Sequence, residues 1–215
     1  MRHHTVQALE DKGAIAIIRM DDPDTLMRTV DAIRAGGITA IEITMTTPDA
    51  LTAIEQVSAA YADDDPVRIG AGSVLDGPTA RQALTAGAEY VVSPVLKAEM
   101  IEMCHRYDVP AIPGAFTPTE VQRAHELGAD VVKVFPANAM GPGYFGALQG
   151  PMPHVKLMPT GGVSLENAGR WIEAGARVVG VGSALLDERA IAAGNFDQIT
   201  DNARTLRRSI DDARS

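Results

Sequence analysis

Eight short runs rich in Val and Ile, each separated from the next by a stretch with helical spacing, constrain this chain more than any other feature. The runs are AIAII (14–18), TAIEI (39–43), VRIG (67–70), EYVV (89–92), VPAI (109–112), VVKVF (131–135), VKLM (155–158) and RVVGV (177–181). Most are apolar on both faces, as parallel strands covered by helices must be. Pro48, Pro78, Pro118 and Ser164 each open a helical pattern between them. Strand and helix alternating in this way predict an α/β fold, a closed (β/α)8 TIM barrel. An open doubly wound sheet is the structural alternative. Phe196, Ile199, Ala203, Leu206 and Ile210 recur at helical spacing and predict a closing helix. A short helix over residues 5–12 is expected at the barrel bottom. No linker divides the chain, so one domain over 1–215 is expected.

An internal repeat sharpens the barrel reading. RAGGITAIEI, TAGAEYVVSP, ELGADVVKVF and EAGARVVGVG share one plan. A helix ends at a glycine able to take the left-handed cap geometry, and an apolar strand follows at once. Five residues after Gly37, Gly87, Gly128 and Gly175 come Glu42, Val92, Lys133 and Gly180. Side chains alternate along a strand, and alternate strands of a barrel fill one layer. Glu42 and Lys133 are therefore expected in one layer, sharing an apolar interior with a Val and a Gly. A lysine in such a run must be paired or deprotonated, because burial penalises charge. A neutral amine is what a Schiff-base nucleophile needs, and a carboxylate beside it can move protons. A buried Lys–Glu ion pair without chemistry is the bland alternative.

The remaining candidates stand where strands end. Arg19 closes strand 1, Thr44 follows strand 2, Ser73 follows strand 3 and Pro94 follows strand 4. Thr160, Gly161 and Gly162 follow strand 7, with a helix expected from about Ser164, and Gly182 and Ser183 follow strand 8. Loops after the last two strands of a barrel often hold phosphate on glycine N–H groups and a helix N-terminus. These nine residues are the candidate substrate contacts. The bland readings are tight turns for the glycines and a surface ion pair for Arg19.

Composition excludes several classes. The net charge of −9 argues against a nucleic-acid binder. The acidic pairs and the run Asp63-Asp64-Asp65 read as solvated surface. No apolar run is long enough to span a membrane, and the first residues lack the apolar segment of a secretory signal. Cys104 is alone, so no disulfide forms within the chain and a cytoplasmic location is expected. The five histidines show no metal-ligand spacing, and Gly70-Ala71-Gly72 and Gly180-Val181-Gly182 lack the rest of a dinucleotide fingerprint. No metal or cofactor is expected.

AGGITAIEITMTTP, IGAGSVLD, VVSP, IPGAFTPTE, VVKVFPAN, LMPTGGVS and VGVGSAL occur in that order. In these stretches the chain resembles the 2-keto-3-deoxy-6-phosphogluconate / 4-hydroxy-2-oxoglutarate aldolases, the class I barrel aldolases of the Entner–Doudoroff route. The resemblance implies a Schiff base on Lys133 of the K-x-F-P motif and acid/base work by Glu42 of the E-[IV]-T stretch. It also implies a small 2-keto acid substrate, a homotrimer and no metal. Two positions depart from the pattern. Thr46 stands where some members carry a substrate-binding arginine, a contact Arg19 can take over, and Ser73 replaces a threonine while keeping a hydroxyl. Phosphogluconate-type, phosphogalactonate-type and unphosphorylated substrates all stay open. Other phosphate-binding barrels and a non-catalytic sugar-phosphate sensor are the rival readings.

Overall fold

The computed structural model describes residues 1–62 and 67–215, so the acidic run Asp63-Asp64-Asp65 lies outside the described residues. Its strands are β1 (Ala14–Ile18), β2 (Ala40–Thr44), β3 (Arg68–Gly72), β4 (Tyr90–Val92), β5 (Ala111–Ile112), β6 (Gly114–Ala115), β7 (Val132–Val134), β8 (Leu157–Pro159) and β9 (Val179–Val181). The helices are α1 (Arg2–Lys12), α2 (Pro23–Ala35), α3 (Ala50–Ala60), α4 (Gly77–Thr85), α5 (Ala98–Arg106), α6 (Pro118–Glu126), α7 (Pro142–Gln149), α8 (Ala168–Glu173), α9 (Glu188–Ala192) and α10 (Phe196–Arg214).

All strand pairs are parallel, in the orders β5-β4-β3-β2-β1-β9 and β6-β7-β8. β5 and β6 are halves of one strand broken at Pro113, which has no N–H to give the ladder. Its carbonyl still accepts from the Lys133 N–H at 2.9 Å, which keeps β7 in place. A bridge between Thr160 and Gly180 joins β8 to β9. The pairings thus run round a ring of eight strands, and the open sheet, which would leave two edges, is excluded.

Side chains divide by parity into two cores. Ala14, Ala16 and Ile18, with Ile41, Ile43, Val132 and Val134, face the helices. Ile15, Ala40, Tyr90, Val92, Val131 and Val178 form a separate cluster inside the barrel. Leu9 of α1 joins that inner cluster, so α1 closes the barrel bottom. α10 buries Ile199, Ala203, Leu206 and Ile210 completely, each large side chain contributing about 1.5–3 kcal/mol. Arg207 and Arg214 of α10 donate to the main-chain carbonyls at the end of α1, fastening the two terminal helices together.

The helix starts follow their caps. Asp22 accepts from the Thr25 N–H and Asp76 from the Thr79 N–H, while Thr117 and Glu120 form a capping box around Pro118. The glycines of the repeat, Gly37, Gly87, Gly128 and Gly175, all have φ between 94° and 105°, the conformation their place after a helix required. One expected start is wrong: α8 begins at Ala168, not at Ser164. Ser164 and Asn167 exchange hydrogen bonds between side chain and main chain, at 2.8 and 3.1 Å, and hold a turn in place of the first helical residues. Among the described residues no helix is long and apolar enough to cross a membrane.

Candidate active site

Parity fixes where the candidate residues point. Ala40 and Val131 belong to the inner cluster. Two residues further along the same strands, Glu42 and Lys133 face inward as well. Both are nearly sealed, at 1% and 6% exposure. Val92 is in the inner cluster, and Gly180 shares the parity of Val178, so all four residues of the aligned layer face inside. A Cβ on Gly180 would meet Thr160 Oγ1 at 2.4 Å, so this glycine is the room into which Thr160 leans.

Glu42 is the most unusual side chain of the interior. Neither carboxylate oxygen has a hydrogen-bond partner in the protein. Burial pushes its pKa above the usual carboxylate range, while the positive charges of Lys133 and then Arg19 pull it back down. A structural ion pair would satisfy the carboxylate; here Lys133 is a neighbour in charge without being a hydrogen-bond partner. The bland reading of a closed Lys–Glu pair therefore does not describe this site. The Lys133 Nζ lies 5.5 Å from the centroid of the Phe135 ring, within cation–π range. Phe135 is 40% exposed, so the ring beside the amine meets solvent.

The space for Glu42 comes from β3. Gly70 and Gly72 have inward parity, because Ile69 and Ala71 belong to the outer core. A Cβ on Gly72 would lie 1.9 Å from Glu42 Oε1. The carboxylate thus reaches across to the neighbouring strand and rests where that strand has no side chain.

Above this layer stand the strand ends. Arg19 is exposed at the end of β1, close enough for its charge to act on Glu42. The Thr44 hydroxyl, fully buried, lies 2.9 Å from that of Thr46 and 3.4 Å from that of Thr47. Ser73 has φ 59°, a strained conformation for a serine, where the chain leaves β3. Pro94 lies against Gly114, where a Cβ would meet its carbonyl oxygen at 2.2 Å. Gly161 and Gly162 both have positive φ, at 91° and 76°, and a Cβ on Gly162 would collide with Asn138 at 2.5 Å. Gly180 and Gly182 share inward parity, and the Gly182 carbonyl accepts from Leu185 and Leu186. The turns after β8 and β9 are therefore brought together at the top of the barrel through the Thr160–Gly180 bridge. The expected helix N-terminus directly behind them is replaced by the Ser164–Asn167 turn.

A buried lysine and an unpartnered buried carboxylate on inner strand faces, ringed by hydroxyls and glycine turns, are the parts a Schiff-base lyase requires. The model of the "KDPG and KHG aldolase" family matches residues 6–202. The chain belongs to that family. A 2-dehydro-3-deoxy-phosphogluconate aldolase of Treponema pallidum is 36% identical over 196 residues, 90% of this chain and 91% of that protein. A 2-dehydro-3-deoxy-6-phosphogalactonate aldolase of Escherichia coli is 36% identical over 172 residues, 80% of this chain and 83% of that one. Among solved structures, a KDPG aldolase from Legionella pneumophila, with pyruvate captured as a covalent carbinolamine, superimposes with a TM-score of 0.86 at 28% identity. It covers 94% of this chain and 97% of its own.

This aldolase is thus a carbon–carbon lyase, and its substrate is a small molecule. Three neighbours of Glu42 and Lys133 are not singled out by the sequence. Phe135 was visible only as part of the K-x-F-P motif. The third run ends at Gly70, whereas β3 continues through Gly72. Tyr90 read as an ordinary strand residue.

Proposed function

We propose that the enzyme cleaves 2-keto-3-deoxy-6-phosphogluconate, or a close 2-keto-3-deoxy sugar-acid phosphate, to pyruvate and glyceraldehyde 3-phosphate, with Lys133 as Schiff-base lysine and Glu42 as acid/base. One observation carries this reading: Glu42, sealed and without a hydrogen-bond partner, faces the interior that also holds Lys133. A carboxyl whose proton affinity burial raises above the usual carboxylate range is suited to both taking and giving a proton.

The free amine of Lys133 adds to the C2 ketone and forms a carbinolamine. Loss of water gives the iminium. Glu42, acting through a water molecule, takes the proton of the C4 hydroxyl. The C3–C4 bond breaks and its electron pair moves into the iminium, leaving an enamine and releasing the aldehyde. Protonation at C3 and hydrolysis of the imine free pyruvate and restore Lys133. Arg19, Thr44, Ser73 and Pro94 contact the keto acid, with Arg19 standing in for the arginine that Thr46 replaces. The N–H groups around Gly161, Gly162, Gly182 and Ser183 take the phosphate, with Thr160 at the inner edge of that site.

Arg19 and Thr46, both exposed at the ends of their strands, favour keeping a second reading. 2-Keto-3-deoxy-6-phosphogalactonate and 4-hydroxy-2-oxoglutarate present the same reacting atoms and differ in the groups those residues would meet. The enzyme works as a homotrimer of single-domain chains in the cytoplasm. Support for assembly comes from a cage designed by fusing symmetric oligomeric domains, which matches 94% of this chain at 31% identity. The deciding experiment is trapping with pyruvate and borohydride. Lys133 is expected to carry the adduct, and Lys133→Arg to lose both the adduct and turnover, because a guanidinium does not form the imine. An adduct mapped to Lys12, Lys97 or Lys156 overturns the Lys133 assignment, and no adduct at all overturns the Schiff-base mechanism.

A further inference from the structure

Tyr90 is fully buried inside the barrel, and its hydroxyl has no hydrogen-bond partner in the protein. An unpaired buried hydroxyl costs about 1–3 kcal/mol, and a phenylalanine would fill the same space without that cost. The only other inner-face polar atoms left without a partner among the described residues are the Glu42 carboxylate oxygens and Thr160 Oγ1.

The geometry of β3 relates Tyr90 to Glu42. Tyr90 pairs in register with Gly70, and Gly70 with Glu42. A Cβ on Gly70 would lie 2.3–2.5 Å from Tyr90 ring atoms, Cζ among them. A Cβ on Gly72 would lie 1.9–2.6 Å from the end of the Glu42 side chain. Gly70 and Gly72 are consecutive inward positions of one strand. The phenol from β4 and the carboxylate from β2 therefore rest on adjacent bare sites, about 7 Å apart along the strand. One water bridges two oxygens about 5.5 Å apart and two in line about 8 Å, so the separation of the two orphaned polar groups is one that buried water spans.

We propose that Tyr90 is a positioning residue for the aldolase reaction: through buried water its hydroxyl donates toward Glu42, orienting the carboxylate and stabilising its charged form. This rests on Glu42 being the acid/base of the site. Tyr90 stays a neutral donor across the working range, because burial, then the charges of Glu42 and Glu89, hold its proton on. The charged groups facing Glu42 are Lys133 from β7 and Arg19 from the end of β1. Those acting on Tyr90 are Glu42 and Glu89, the latter paired with Arg68 on the outside. Tyr90 is thus a neutral donor offered to Glu42 from the preceding inward position of β3.

Tyr90→Phe tests this, with the pH profile of kcat as readout and the Glu42 carboxyl titrated separately by carbon-13 NMR. A donor to the carboxylate lowers its pKa, so removing it is expected to raise the acidic limb by about one unit. Turnover about one unit below the wild-type limb then falls roughly tenfold, while the high-pH plateau stays within about twofold. An unshifted limb together with an unshifted carboxyl titration overturns the inference, whatever the change in stability. Glu42→Gln separates the two readings. If that variant keeps near-normal kcat, the acid/base assignment fails and the inference falls with it. If it is inactive while Tyr90→Phe leaves the profile unmoved, only the role of Tyr90 is refuted.

Discussion

Gly72→Ala is the sharpest test of how the barrel holds its carboxylate. The new methyl would sit 1.9 Å from Glu42 Oε1, 2.5 Å from Cδ and 2.6 Å from Cγ. Ordinary contact begins near 3.4 Å, so the end of the side chain must retreat by about 1.5 Å. The φ of Gly72 lies outside the left-handed region, so the backbone accepts alanine without strain of its own. The clash falls on the far end of a flexible side chain, and the fold should survive at a cost of about 1–3 kcal/mol. Catalysis should not. A displacement of about 1 Å can cost 100-fold, and loss of an acid/base group costs about 100- to 10,000-fold. We expect kcat to fall at least about 100-fold in an assay coupled to pyruvate reduction, with a cooperative melt retained. Combining Gly72→Ala with Glu42→Gln should add little further loss, because both remove the same function. Gly146→Ala on α7, where a Cβ meets nothing within 4 Å, is the matched control and should leave kcat unchanged. A folded Gly72→Ala enzyme with kcat within about twofold of wild type would refute the placement of Glu42 or its role.

Two further outcomes follow from the site. Because burial raises the Glu42 pKa, the native state holds its proton more tightly than the unfolded chain does. The associated stability is present below the unfolded carboxyl pKa and is lost as pH rises through the native one. Glu42→Gln should therefore melt higher than wild type at pH 8, with the gain shrinking toward pH 4; a gain independent of pH would contradict the direction of the shift. Ser183→Asp sets a negative charge beside the proposed phosphate site and should raise KM for a phosphorylated substrate much more than for 4-hydroxy-2-oxoglutarate. An equal loss in kcat/KM on both would place Ser183 at the barrel mouth in general.

Periodicity and caps are local, and the features that depend on them could be read from the chain. The doubly apolar runs located the strands, and the four positive-φ glycines after helices set the frame in which Glu42 and Lys133 share an offset. Where local chemistry competed, reading failed. The Ser164–Asn167 turn delays α8 because two polar side chains satisfy main-chain groups that a helix start would otherwise leave open. Pro113 splits one strand because it removes a single ladder donor. The short helices α7 and α9 carry too few turns to show a face. What the chain could not disclose is which side chain fills the gap a glycine leaves. Gly70 and Gly72 announce missing volume, but register across β2, β3 and β4 decides that Tyr90 takes one gap and Glu42 the other. Register in a barrel belongs to all eight strands together, through their shared tilt and stagger. The pairing that brings Glu42 and Tyr90 to adjacent sites on β3 is therefore a property of the closed ring, and a substitution that slid β3 would separate them without touching either side chain.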